Sequence, residues 1–244
     1  AGQSTTLDMT QTLDCVFRHP NVGPFVALRL IRQLVKSNPS PAYVARVATV
    51  FNNNGSGTRG DLRAVLRSIL TDAEARDDTN SASAGRLRDP VQQIAALVRA
   101  LGGAVQPGNV MGWELGRSGE AVLQPPSVFG FYSPLYRAPG TGLAGPEFQI
   151  YTPTEAVLRG NLIWRLLGQP AGDVTFNLAP YTAAAASTVT LVGLVDQALL
   201  YGRMPAGLRS VISAQVDAQG SDAAARVRTA LYFTALSGLH AVQH

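Results

Sequence analysis

Helix-start signals followed by apolar residues at helical spacing recur along this chain, and alternating patterns that would build a sheet are nearly absent. A first helix is expected over about Asp8–Phe17, stopping before His19-Pro20. Pro24 opens a second, since proline is favoured at the first helical position, and Phe25, Leu28, Ile31, Leu34 and Val35 keep one face. Ser40-Pro41 caps a third helix carrying Tyr43, Val44, Val47 and Val50. Asp61 begins a fourth with Leu62, Val65, Leu66, Ile69 and Leu70. Asp89-Pro90 begins a fifth that ends at Gly102-Gly103. Thr152-Pro153-Thr154-Glu155 fits a capping box, and the helix behind it runs to Gly168. Three further helices are expected over about Thr190–Tyr201, Pro205–Gln219 and Ser221–Ser237. The best strand candidate is Asp173–Leu178. The expected fold class is therefore all-α: an irregular multi-helix domain with long, ordered Pro/Gly/aromatic loops.

Two stretches break the helical period, 103–151 and 169–187. The first is rich in Pro and Gly and holds Trp113, Phe129, Phe131, Tyr132, Tyr136 and Phe148. So many aromatics should not stand free in solvent, so this segment is expected to wrap over the helices. The expected organisation is a helical part over 1–102, an irregular aromatic region over 103–151 and a helical part over 152–244, together one compact unit. A polar loop is expected over Asp77–Gly85.

Composition excludes several classes. With 46% hydrophobic and 15% charged residues, the chain has the material for a packed core and is not a solvated, disordered tail. The net charge of +4 invites a nucleic-acid reading. Lys36 is the only lysine, however, and the arginines stand singly (Arg46, Arg59, Arg63, Arg67, Arg76, Arg86, Arg88) rather than along one aromatic-laced face, so no nucleic-acid partner is expected. No segment reaches the roughly 20 apolar residues of a membrane helix. Ala1-Gly2-Gln3-Ser4 has no basic or apolar leader, so the chain reads as a processed or cut-down piece of a longer protein. Cys15 is the only cysteine, which removes disulfides and Cys-based zinc sites; it falls beside Leu13, Val16 and Phe17 and is expected to be a buried, inert thiol.

Motifs give little chemistry. Asn52, Asn54 and Ser56, with Gly57 sixth, mimic the start of a calcium loop, but its twelfth place is Arg63, a cation where a bidentate carboxylate is needed. An Asn/Gly turn between helices is the plainer reading. Gly55-x-Gly57-x-x-Gly60 follows a helix rather than a strand and is read as chance. Gly116-Arg117-Ser118-Gly119-Glu120 falls short of a nucleophile elbow. The histidines are His19, expected to hydrogen-bond a helix junction, and His240 and His244 near the end. No cofactor and no metal site are expected. Weak catalytic candidates are His19 and His240 as bases and Ser127 and Ser133 as nucleophiles. Pro125-Pro126-Ser127-Val128-Phe129-Gly130-Phe131-Tyr132-Ser133-Pro134 is the most informative string. It is expected either to plug helix ends or to line a ligand groove with Trp113, Phe129, Phe131, Tyr132 and Tyr136.

Several strings resemble a large bacterial family, domain of unknown function 1800. They are His19-Pro20-Asn21-Val22-Gly23-Pro24-Phe25, the run Leu34–Val47, Gly60-Asp61-Leu62-Arg63-Ala64-Val65, Pro126-Ser127-Val128-Phe129, Pro146-Glu147-Phe148-Gln149-Ile150 and Arg226-Val227-Arg228-Thr229-Ala230-Leu231-Tyr232. The resemblance implies a longer exported protein of which this chain would be the C-terminal half, placed in the periplasm or secreted. Family genes often sit beside those of another exported family. The resemblance carries over no catalytic residue.

Two functions are expected from these readings. The first is a non-catalytic exported module that binds a partner protein, its own N-terminal half or a cell-surface polymer, with self-association through an exposed patch. The second is an esterase-like serine/histidine hydrolase acting on a polysaccharide or ester ligand.

Overall fold

A computed structural model describes residues 4–77, 84–108, 110–168 and 174–243. It is all-α: among the described residues there are twelve α-helices, and strands are reduced to two-residue pieces. His244, Asp173 and most of the Asp77–Gly85 loop lie outside the described residues. The chain divides into two compact units, residues 1–86 and 87–243.

The first unit holds α1 (Thr5–Arg18), α2 (Val22–Leu34), α3 (Pro41–Asn52) and α4 (Leu62–Thr71). Its helix starts follow the capping chemistry. Ser40 accepts from the Tyr43 N–H and Asp61 from the Ala64 N–H, so each supplies an oxygen to a donor that the helix itself cannot satisfy. The core joins Ala27 and Ile31 of α2, Tyr43, Val47 and Phe51 of α3, and Val65 and Ile69 of α4. Tyr43 is fully buried, and its hydroxyl donates to the Ile69 carbonyl at 2.7 Å. Burial, with the carboxylates of Asp72 and Glu74 nearby, pushes this phenol up to about 12.

Helix α1 corrects one expectation. It buries no residue, and Cys15 is exposed, along with Leu13 and Val16. The reason is local: the contacts that hold α1 against the rest of the unit lie at its C-terminal end. There Phe17 meets Phe51 at 6.1 Å and Arg59 stacks on both rings. The apolar residues further up the helix, Leu7, Met9 and Leu13, are exposed.

The second unit holds α5 (Pro90–Ala100), α6 (Val110–Arg117), α7 (Pro153–Gly168), α8 (Ala179–Ala184), α9 (Thr188–Leu200), α10 (Ala206–Asp217), α11 (Ala223–Leu236) and α12 (Gly238–Ala241). Its core is built from α5, α7, α9, α10 and α11, with Leu97, Ile163, Leu191, Val195, Ile212 and Leu231 inaccessible. The expected irregular stretches each contain a short helix, α6 and α8. The strand expected at Asp173–Leu178 is reduced to Val174–Thr175, which pairs antiparallel with Ala104–Val105.

Arg226 is the unit's polar keystone. It is 8% exposed. Its Nε donates to the Ala185 carbonyl at 2.7 Å and its Nη1 to the Gly220 carbonyl at 2.9 Å and the Val216 carbonyl at 3.3 Å. Its Nη2 donates to the Thr188 hydroxyl. One side chain on α11 thus closes the C-terminal ends of α8 and α10 and the start of α9.

Candidate functional site

The segment after α6 is a string of tight turns, each closed by its own backbone. The Gln124 N–H donates to the Ala121 carbonyl at 2.9 Å, the Gly130 N–H to Ser127 at 3.1 Å, and the Tyr136 N–H to Ser133 at 3.0 Å. Serine hydroxyls reinforce two of them: Ser127 Oγ accepts from the Phe129 N–H at 3.2 Å and Ser133 Oγ from the Leu135 N–H at 3.3 Å. A short hairpin follows, in which the Ala138 N–H donates to Leu143 and the Gly145 N–H to Tyr136.

The turn corners carry apolar side chains that point away from the protein. Leu123 is 93% exposed, Val128 95%, Phe129 77% and Leu135 71%. Corners of turns ordinarily hold Gly, Asn, Asp or Pro, which tolerate the backbone and suit water. Between Ala121 and Ala144 there is no carboxylate, and Arg137 is the single charged residue. Leu123 also sits at φ +60°, a left-handed conformation that costs a branched residue about 1 kcal/mol or more. Leucine at this place therefore serves neither the backbone nor a core. Leu123→Gly is expected to leave thermal stability unchanged or raise it by up to about 1 kcal/mol. A clear fall in melting temperature would mean that the side chain supports the fold.

The aromatics do not form the sheltered cover that the sequence suggests. Trp113 is exposed, with the Arg117 guanidinium 4.7 Å above its ring. Phe129 stands at a corner, and Phe148 is partly exposed. Only Phe131, Tyr132 and Tyr136 are half-buried. The expectation fails at Phe129 because its turn is closed by its own hydrogen bonds, and at Trp113, on α6, where the indole stays exposed under the Arg117 guanidinium.

Polar side chains hold both ends of this segment, Asp89 and Arg159 buried and Glu120 half-buried. At the leading end, Glu120 accepts from the Val91 N–H at 3.2 Å. Asp89 is itself buried, as the cap of α5, and accepts from the Gln92 N–H at 2.7 Å. At the trailing end, Arg159 of α7 donates to the Ile150 carbonyl at 3.0 Å and lies 4.5 Å from the Tyr151 ring centroid. Arg159 also donates to the Arg88 carbonyl at 3.3 Å and is 2% exposed. Burial, followed by the charge of Asp89, pushes the Glu120 carboxyl up to about 7. Sequence reasoning saw Asp89 only as a helix cap and gave Glu120 and Arg159 no part; only the fold joins them.

The remaining candidates stand apart from one another. His240 is 2% exposed, its Nδ1 lies 3.1 Å from the Ala235 carbonyl, and the Arg88 guanidinium donates to its own carbonyl. Burial, then the charge of Arg88, pushes the imidazole down to about 4. Among the described residues, neither Ser127 nor Ser133 is hydrogen-bonded to His240. In the first unit, exposed His19 ends α1, and its Nδ1 accepts from the Asn21 N–H at 3.1 Å. Ser118, buried, donates to the Glu114 carbonyl. In the Asn-rich loop, Asn53 Oδ1 accepts from the Gly55 and Gly57 N–H groups and Asn54 Oδ1 from Ser56 and Thr58, so these oxygens are used within the turn.

Fold and surface together define an all-α, multi-helix protein that displays an apolar, turn-built loop. The chain belongs to the family described as Protein of unknown function (DUF1800), whose pattern matches residues 2–239. That match covers nearly the whole chain and does not mark it as a C-terminal half. No curated protein and no solved structure matches it. No helix among the described residues is long and apolar enough to cross a membrane.

Proposed function

We propose that the protein is an exported binding module whose recognition surface is the loop 121–145, and that its partner is another protein. The observation that carries this reading is the outward display of Leu123, Val128, Phe129 and Leu135 on turns that need none of them for closure. Exposed apolar groups presented together favour association, and aromatic anchors such as Phe129 and Trp113 are the residues that fill a partner's pocket. Export is supported by the family resemblance alone.

The test is a photo-crosslinking amino acid placed at Phe129 in the producing cell, with Gln215 on α10 as an exposed control position. A discrete protein adduct from position 129, absent from position 215 and abolished by Leu123→Asp with Val128→Asp, is the expected result. A lipid or glycan adduct, or the same adducts from both positions, would overturn the reading. The hydrolase reading has no observation in its favour.

A further inference from the structure

We infer that the partner meets the loop with an acidic protein surface, apolar where Val128 and Phe129 enter it and carrying carboxylates that pair with Arg117, Arg137 and Arg165. The inference rests on the binding reading above and deepens it: the apolar corners supply the contact, and the arginines select what makes it.

Between residues 110 and 168 the exposed charged residues are three arginines, Arg117, Arg137 and Arg165. Carboxylates are present in this stretch but withdrawn: Glu114 and Glu147 are buried, and Glu120 and Glu155 are half-buried. Helices α6 and α7 run side by side in opposite directions. Arg165 of α7 donates to Glu114 of α6, and a Cβ on Gly119, just past the end of α6, would lie 3.4 Å from Glu155 Cγ near the start of α7. Glu114 lies in this seam between two guanidiniums, with Arg117 Nη1 3.9 Å from the same Oε1 that Arg165 meets. One carboxylate faces two cations, so the outer side of the seam stays positive. Arg117 also stacks on the exposed Trp113 ring, 4.7 Å from its centroid, which sets a cation beside an aromatic anchor. Arg137 opens the hairpin and donates to the Gly142 carbonyl; among the described residues no carboxylate pairs with it.

These guanidiniums are held in place, two by Glu114 and one by Gly142. A planar fork at a fixed position matches a carboxylate bidentately, and its geometry carries specificity as well as charge. A fluid layer of lipid headgroups gains nothing from fixed forks and is served by mobile lysines, yet Lys36 is the only lysine and belongs to the first unit. Positive charge outside, negative charge inside and apolar corners between them fit a protein pocket with an acidic rim. Exposed charges of this kind steer encounter and reject like-charged surfaces, and salt screens them. Salt leaves a purely apolar contact intact, so the two contributions can be read apart.

The test uses the full chain with the photo-crosslinking amino acid at Phe129, in cell extract at about 50 mM and about 500 mM NaCl. The protein adduct should fall about tenfold at the higher salt, and the partner peptide joined at position 129 should come from a segment rich in Asp and Glu. Arg117→Glu with Arg137→Glu should lower the low-salt yield about tenfold, and Arg117→Lys with Arg137→Lys should lose clearly less. The salt series needs no substitution, so it decides the matter even where charge reversal loosens the hairpin. A protein adduct indifferent to salt and to charge reversal overturns the acidic surface and leaves the binding reading standing. No protein adduct at either salt overturns the binding reading and this inference with it. Binding of the chain to vesicles of phosphatidylglycerol and phosphatidylethanolamine, lost in Leu123→Asp with Val128→Asp, would assign the surface to a membrane and overturn both.

Discussion

Replacing Arg226 with alanine should cost about 3–5 kcal/mol and lower the melting temperature by roughly 6–20 °C. The guanidinium satisfies the Ala185, Val216 and Gly220 carbonyls together. The Ala185 and Gly220 carbonyls lie at or past the ends of α8 and α10, where among the described residues no backbone N–H pairs with them, whereas the Val216 carbonyl also accepts from the Gln219 N–H at 3.1 Å. Alanine leaves the Ala185 and Gly220 acceptors without that donor beneath a largely buried side chain, and each unsatisfied group costs about 1–3 kcal/mol. The Asp217 carboxylate, 3.5 Å from the guanidinium, adds little, because it is exposed. Arg226→Lys should recover only part of the loss, since an ammonium on one stem cannot span three carbonyls. Arg63→Ala, an exposed control on α4, should stay within about 0.5 kcal/mol. Urea unfolding of the three variants decides the matter: equal midpoints for Arg226→Ala and Arg63→Ala would remove the keystone role.

The sequence showed the helices wherever a cap and an apolar stripe coincided. Ser40, Asp61 and Asp89 each do at the structural level what their position implies. The helices it missed lack those signals. Helix α6 is eight residues with a glycine in its middle, and α8 is six residues, half of them alanine, too short to show a period. Cys15 was misplaced for a related reason. A helical stripe shows that a face could be buried but not that anything packs on it. The aromatic loop was visible as composition and was given the wrong environment, because hydrophobicity predicts burial only where the backbone can be satisfied under cover. Here the turns satisfy themselves and leave Val128 and Phe129 outside. The way the ends of the loop are held was hidden for a topological reason. Asp89, Glu120 and Arg159 come from separate helices and a loop, so no spacing rule connects them.

Arg159→Met should make stability fall more steeply with pH than in the wild type. Removing a buried cation has two opposed consequences. The desolvation cost of the guanidinium disappears, and methionine fills a similar volume, which alone can be neutral or favourable. Against that, the Ile150 and Arg88 carbonyls lose their donor, the Tyr151 ring loses its cation, and the Asp89–Glu120 pair loses its neighbouring positive charge. Which side wins depends on how many negative charges remain. The folded-state value of Glu120 is raised from 4.5 to about 7, so its contribution to stability is full below the unfolded value and is lost as pH rises through the folded one. Without Arg159 the ionised pair is less compensated, and the folded value rises further. At about pH 5 the Glu120 carboxyl is protonated, and the variant should lose only about 1–2 kcal/mol, mostly from unpaired carbonyls. At about pH 8.5 the ionised Glu120 would face a methionine in place of the cation, and the loss should be larger than at pH 5. Arg159→Lys retains a cation and should show the wild-type slope with a smaller constant loss. Urea midpoints measured across this range test the argument. Parallel curves for wild type and Arg159→Met would show that the arginine is not coupled to the carboxyl pair, and the two ends of the loop would then be held independently.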